Sequence, residues 1–289
     1  MNLRKIVISL LYFPFFIGNA ILRFLNLEGT KVRILLMHDI PSDKFEDFKS
    51  IILSISKRWN FISVDELEDH LSGKQNLKGR NVLLTFDDGF RSNRLVADEI
   101  LSSLKIKALF FIVGQFVEKN THVDQQNFIK EYLYPKWRGH DYPENLEEMK
   151  NMDLGDLQHL IKQGHSIGFH TTTHKNLASL ILESDLRKEI IEGAEKLEKK
   201  LGFKINHFSF GFGNIDYFSK AALEIAQAHF GYIHTGMRGD NFKDTPVCAL
   251  RRDTISIDDS HLQIASFLEG SADSRYSKDF KRYESWLKD

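Results

Sequence analysis

Apolar positions in this chain fall into short continuous runs separated by longer amphipathic stretches. Val32 to Met37, Val82 to Phe86 and Ala108 to Val113 are nearly unbroken apolar runs of strand length, the pattern of strands covered on both faces. Shorter strands or extended pieces are predicted at Phe61 to Val64, Ser166 to Phe169, His207 to Phe210, Tyr232-Ile233 and Val247 to Leu250. Between them the period lengthens. Phe45, Phe48, Ile51, Ile52 and Ile55 share one helical face and predict a helix to Ser56. Further helices are predicted over Asp65 to Leu71 (capped by Ser63 or Asp65), Ser92 to Leu104, Leu154 to Gln163, Ser184 to Leu201 and Tyr217 to Ala228. Gly164 and Gly202 supply stop signals.

Strands alternating with helices imply a parallel sheet. Most of the polar signatures sit just after a strand's last apolar residue, and in a parallel barrel those ends share one face. The expectation is an α/β fold, with one barrel-like domain over residues 31–289 after an N-terminal appendage over residues 1–30. Gly114 to Met152 breaks the alternation. It is polar, carries aromatics and contains Pro135 and Pro143, so the 114–152 stretch reads as an inserted, partly helical excursion that walls a cleft.

The N-terminus has its own pattern. Arg4 and Lys5 precede an apolar run from Ile6 to Ile17, which resumes at Ile21-Leu22 and Phe24-Leu25. The run is shorter than the roughly 20 residues a spanning helix needs. Three readings stand: a helix lying at a membrane surface through residues 1–27, an uncleaved signal or anchor, and a helix packed on the protein's own core.

Composition narrows the chemistry. The chain has 289 residues, a net charge of -1 and ordinary hydrophobic content, so no basic field points to nucleic acid as a partner. Its single cysteine, Cys248, excludes an internal disulfide and a thiolate-rich metal site. Any metal must be held by histidine and carboxylate.

Two motifs supply those groups. Thr85-Phe86-Asp87-Asp88-Gly89 ends one apolar run and His170-Thr171-Thr172-Thr173-His174 ends another. Asp87 and Asp88 are neighbours whose side chains diverge, so one can bind a metal while the other takes a proton from water. They can also simply cap the helix that follows. His170 and His174 can meet on one ion if the chain bends into a helical turn after the strand. Two histidines and an aspartate leave open positions on a zinc-like ion, the catalytic type of site.

The two motifs, in this order and context, resemble those of the polysaccharide deacetylase family, the NodB-homology group of carbohydrate esterases. The resemblance runs from about Val32 to Ile257. It implies a distorted, incomplete (β/α) barrel, a bound divalent metal, Zn2+ by preference, and hydrolytic removal of an N-acetyl or other N-acyl group from a sugar. On this match Asp87 is the catalytic base and Asp88, His170 and His174 are the metal ligands. Phe208-Ser209-Phe210-Gly211-Phe212-Gly213 occupies the place of an aromatic stretch that usually carries an arginine and a proline, and it lacks both. Phe210, Phe212 and Gly213 are assigned there to substrate or oxyanion contact, through a backbone N–H near Phe212.

In a branch that also lacks the motif arginine, a later Leu-x-Arg-x-x-Ile is typical, and Leu250 to Ile255 matches it with Arg252 in register. Arg252 is expected to reach the catalytic carboxylates. The family's C-terminal Leu-x-His is not evident. Ile34 to Asp39 instead resembles a permuted arrangement in which the first strand delivers that histidine, making His38 the general acid.

Weaker signals remain: His234 at the pocket rim, and His140, beside Trp137 and Tyr142, against a sugar, are minority readings set against a structural or exposed histidine. The remaining histidines read as structural or exposed. The substrate implied is a bacterial polysaccharide or a lipid-linked glycan precursor, met by a membrane-associated enzyme at the cytoplasmic face or, alternatively, exported or anchored outside it. Two competing functions remain: a deformylase or amidohydrolase acting on a non-polymeric amide, and a non-catalytic glycan-binding relative.

Overall fold

The computed structural model describes residues 3–25, 29–139 and 141–288. Eight parallel strands form its centre: β1 (Lys31–Met37), β2 (Asn60–Phe61), β3 (Arg80–Phe86), β4 (Ala108–Ile112), β5 (Ser166–Phe169), β6 (His207–Ser209), β7 (Tyr232–His234) and β8 (Asp253–Thr254). Their order is β7-β6-β5-β4-β3-β1-β8, and β2 shares an edge of β3 with β4. Leu250 bridges in parallel to His234, while Asp253 and Thr254 pair with Leu35 and Leu36. One short segment thus joins the two ends of the curled sheet, and the fold is the expected incomplete (β/α) barrel.

Alternation along the strands explains why they are apolar throughout. Leu35, Met37, Leu84, Phe86, Phe110 and Ile112 pack outward against the helices. Val32, Ile34, Leu83, Leu109 and Phe111 fill a separate, smaller interior core. Space inside is tight: a Cβ on Gly168 would come within 2.5 Å of the Phe111 ring.

The helices follow the predicted segments with informative exceptions. Ser63 caps Val64–Leu71 through a reciprocal capping box with Glu66. The Ser184 to Leu201 helix exists, but its middle, Lys188–Glu192, widens into a π turn. A second π turn, Ala97–Leu101, interrupts the 92–104 helix. The helix expected from Tyr217 starts later, at Lys220, where Ser219 accepts the Ala222 N–H. Val247 to Leu250 is not a strand: Pro246 opens a 3-10 turn over Val247–Ala249, Leu250 makes a single bridge, and the ladder with β1 begins at Asp253. Two helices, His261–Leu268 and Ser277–Lys288, close the chain and were not anticipated. The 114–152 excursion is partly helical and packs on its own cluster of Phe90, Phe116, Phe128 and Leu146.

The N-terminal helix, Leu3–Phe24, lies along His261–Leu268. Tyr12 is buried and accepts a hydrogen bond from Arg58, whose guanidinium lies 4.8 Å over the Phe16 ring. Asn19 donates to the Glu269 carboxylate at 2.7 Å. One face therefore docks on the protein's own core, while Leu10, Phe13, Ile17, Ile21 and Phe24 remain exposed on the other. Among the described residues no helix is long and apolar enough to cross a membrane. Met1, Asn2, Asn26 and Leu27 of the 1–27 segment lie outside the described residues.

Candidate active site

Strand register brings the chemistry to one level. Met37 pairs with Phe86, Phe86 with Phe110, Ile112 with Phe169, and Phe169 with Phe208. His38, Asp87, His170 and Ser209 therefore emerge one step beyond these residues, on the interior side. His38, Asp87 and His170 border a polar cavity of about 410 Å³ that also takes in Asp88, His174 and Arg138. A second hollow of about 580 Å³ opens beside Lys196 and Lys200 and holds none of these groups.

Asp87 is buried and gripped by Arg252, whose two terminal nitrogens donate to its carboxylate oxygens at 2.6 and 2.9 Å. Arg252 is itself fully buried. It donates also to the Thr235 carbonyl at 3.0 Å, to the Thr85 hydroxyl at 3.4 Å and to the Ser209 hydroxyl. Burial alone would raise the Asp87 pKa, but the Arg252 charge overcomes it and holds the carboxyl below its usual range. Asp88 is swung away from Asp87 by a left-handed backbone, φ 74°, a conformation aspartate tolerates better than most residues. Burial, then the Asp87 charge, pushes Asp88 well above the carboxylate range.

The two motif histidines converge on Asp88. The His170 Nε2 lies 3.7 Å from Asp88 Oδ1 and the His174 Nε2 lies 3.6 Å from the same atom. Their other nitrogens are engaged: His170 Nδ1 with the Ser209 carbonyl at 2.9 Å, His174 Nδ1 with the Tyr132 carbonyl at 3.1 Å. A carbonyl only accepts, so each Nδ1 carries the hydrogen and each Nε2 presents a lone pair. Burial lowers His170 to about 4 and holds His174 well below its ordinary value. Asp88 Oδ1 is buried without a hydrogen-bond partner. One carboxylate oxygen and two lone pairs, all within 4.8 Å of one another, fit a divalent cation with orienting partners already in place.

The chain between these histidines is not the helical turn expected. Thr171 and His174 adopt left-handed φ values of 66° and 61°. The loop is fixed instead by the π turn. The Thr172 N–H donates to the Glu189 carbonyl at 2.8 Å, its hydroxyl to the Lys188 carbonyl at 2.7 Å, and the Thr173 N–H to the Glu189 carboxylate at 2.8 Å. A π turn departs from the regular helical ladder, and here it supplies the carbonyls that hold the loop.

His38 borders the cavity, and its backbone carbonyl accepts from Asn93 at 2.9 Å. Burial lowers its pKa, and the Asp87 charge works in the opposite direction.

Two residue assignments change, and His234 takes the structural place that the sequence favours. Phe210 is fully buried and stacks on Phe218 at 3.8 Å, because strand alternation sends Phe208 and Phe210 toward the helices and Ser209 inward. Gly213 borders the cavity, but its N–H is spent on the Phe210 carbonyl at 3.2 Å. Its lack of a side chain serves close packing, since a Cβ would lie 2.8 Å from the Gly236 Cα. His234 is not at the rim. It is buried inside the barrel, 2.9 Å from His207, whose other nitrogen meets Glu68 at 2.9 Å. Phe212 does border the cavity, with its ring 4.3 Å from that of His174. His140 lies outside the described residues. Sequence reasoning missed Tyr134, Arg138, Asn214, Tyr217 and Tyr276, which line the cavity from loops and the C-terminal region. No periodicity marks them. The inward alternation of Ser209 was the one available signal for its contact with Arg252.

Comparisons with known proteins follow the same geometry. Residues 74–231 match the family model described as polysaccharide deacetylase. Over 142 residues, 49% of this chain, it is 28% identical to YheN of Bacillus subtilis (strain 168), which carries a polysaccharide deacetylase name. The match takes in 39% of YheN, so this chain spans less than half of that relative's length. Among solved structures, IcaB from Ammonifex degensii is 22% identical with a TM-score of 0.65, over 84% of this chain and 99% of that one. The Streptococcus pyogenes deacetylase PplD, solved with acetate, is 18% identical with a TM-score of 0.63, over 83% and 99%. At these identities the structures speak for the fold alone.

Proposed function

Because the chain belongs to the polysaccharide deacetylase family, we propose that it hydrolyses the amide of an N-acetylated sugar in a bacterial glycan, giving acetate and a free amine. The observation that carries this reading is the unpartnered Asp88 oxygen facing two imidazole lone pairs, beside an arginine-clamped Asp87. The cavity's volume is in the range of small-molecule sites.

Asp88, His170 and His174 would hold the divalent ion, which we take to be zinc from the nitrogen-rich donor set. When bound, such an ion supplies Lewis acidity to the acyl carbonyl and eases ionisation of water. The remaining chemistry belongs to side chains. Asp87 takes the proton from the attacking water as the new C–O bond forms. Arg252 acts through it as a positioning residue, keeping the carboxylate ionised and aimed. His38 gives a proton to the sugar nitrogen as the C–N bond breaks. Phe212 packs against the bound sugar.

The exposed apolar face of the N-terminal helix supports a further placement of this activity at a membrane surface, with a lipid-linked glycan precursor as substrate at the cytoplasmic face.

The test pairs metal content with acetate release. Wild type should hold near-stoichiometric metal and release acetate from an N-acetylated oligosaccharide, and His170→Ala should lose both. A panel of N-formyl sugars run alongside decides the acyl group: formate without acetate would replace acetyl by formyl. Metal-free wild type that stays inert after reloading would overturn the catalytic reading.

A further inference from the structure

The cavity holds a cation that this mechanism leaves unused. Arg138 comes from the 114–152 excursion and reaches the cavity beside the catalytic groups. Its guanidinium lies 4.5 Å over the Phe212 ring and 5.5 Å over that of Tyr217. Arg33, Arg80, Arg94, Arg238 and Arg252 each pair with a carboxylate. Among the described residues Arg138 pairs with none, and its Nε is buried without a hydrogen-bond partner. Of the nearby carboxylates, Asp87 is clamped by Arg252, and Asp88 turns its unpartnered oxygen toward the two imidazole lone pairs, where a metal would sit, rather than toward a hydrogen bond with Arg138.

We propose that Arg138 is a specificity residue that receives a carboxylate or phosphodiester group carried on the glycan next to the sugar being deacetylated. The proposal rests on the deacetylase reading of the same cavity. Aromatic rings steady the guanidinium, and its planar fork of donors matches the paired oxygens of either anion. A neutral glycan offers hydroxyls, which do not call for an uncompensated cation half-removed from water. An anion arriving there restores the missing counter-charge close to the reacting amide. Charge-assisted hydrogen bonds of this type correspond to roughly tenfold or more in affinity.

Calorimetry on the metal-loaded Asp87→Asn protein tests this without turnover. The probes are three N-acetylated oligosaccharides of equal length: neutral, uronate-containing and phosphodiester-linked. At least one anionic probe should bind about tenfold tighter than the neutral one. The preference should collapse toward parity when Arg138→Gln is added and return in part with Arg138→Lys. Which anion is preferred separates a uronate from a phosphodiester source. Equal binding of all three probes, a preference that survives Arg138→Gln, or no binding of either anion overturns the assignment. Acetate release by wild type from the same probes is scored separately. Its absence from every probe, with the anion preference intact, strikes the deacetylase reading and upholds the anion site.

Discussion

Asp87 and Arg252 show at the residue level how chemistry and stability share one contact. The Asp87 carboxylate is buried, and the guanidinium that donates to both its oxygens is the main group opposing the burial that would neutralise it. Asp87→Asn keeps the shape but removes the basic oxygen, and kcat should fall about 100-fold or more with metal content unchanged. Arg252→Gln leaves a buried carboxylate without its partner. It should cost about 3–5 kcal/mol in urea unfolding, along with activity, whereas Asp87→Asn should cost less. Unchanged stability in Arg252→Gln would show that the ion pair does not hold the site together. The motif residues were legible because they follow directly on apolar runs. Phe210 was misassigned because a motif match carries no information about which side of a strand a residue faces. Arg138 and Tyr276 were invisible because they reach the cavity only through tertiary packing.

Elements set the positions of these residues, and the helix over 183–201 shows how. Its π turn supplies the carbonyls that hold Thr172, midway between the two metal-motif histidines. One residue on, Gly193 lies so close that a Cβ would fall 1.9 Å from the Thr172 hydroxyl. Gly193→Ala should gain about 0.5–1 kcal/mol of helix propensity. It should lose about 1–3 kcal/mol to overpacking. The net result should be a lower unfolding midpoint and reduced metal retention on dialysis. No sequence period announces a π turn, so the amphipathic pattern could predict the helix but not its function.

Strand β5 offers a second prediction at this scale. His165, just before it, accepts the Ala108 N–H through Nδ1 at 3.1 Å, and burial followed by the Lys107 charge lowers its pKa to about 4. Between pH 6.5 and 4 the unfolded chain therefore binds the proton that the folded chain refuses, and stability falls as pH falls through that window. His165→Asn, whose side-chain oxygen can accept the same N–H, should lose less of its urea midpoint than wild type between pH 7 and 5. Parallel losses would assign the acid sensitivity elsewhere. The long central strands were readable because both their faces are buried, while the two-residue β8 was too short to carry a pattern and was displaced onto Val247 to Leu250.

Across the whole molecule, distant segments are stitched by buried charge. Arg33 of β1 reaches Asp240, Asp253 and Asp273 at 2.7, 3.2 and 2.7 Å, tying the C-terminal helices to the sheet. The N-terminal helix is stitched more lightly, through Tyr12 and Asn19, and its outer face stays apolar. Replacing Phe13 and Ile17 together by serine should reduce co-sedimentation with anionic vesicles several-fold, with circular dichroism and metal content unchanged. Retained sedimentation would remove the membrane from the proposal. The closing segment Leu250–Thr254 has a consequence in time as well as in space. It joins the two edges of the sheet and carries Arg252 to Asp87, so that carboxylate acquires its counter-ion only after the strands that precede this segment have been synthesised. A nascent polypeptide still threading from the ribosome can display both aspartates and both histidines while Asp87 lacks its counter-ion, and on the proposed mechanism hydrolysis waits until this segment is seated.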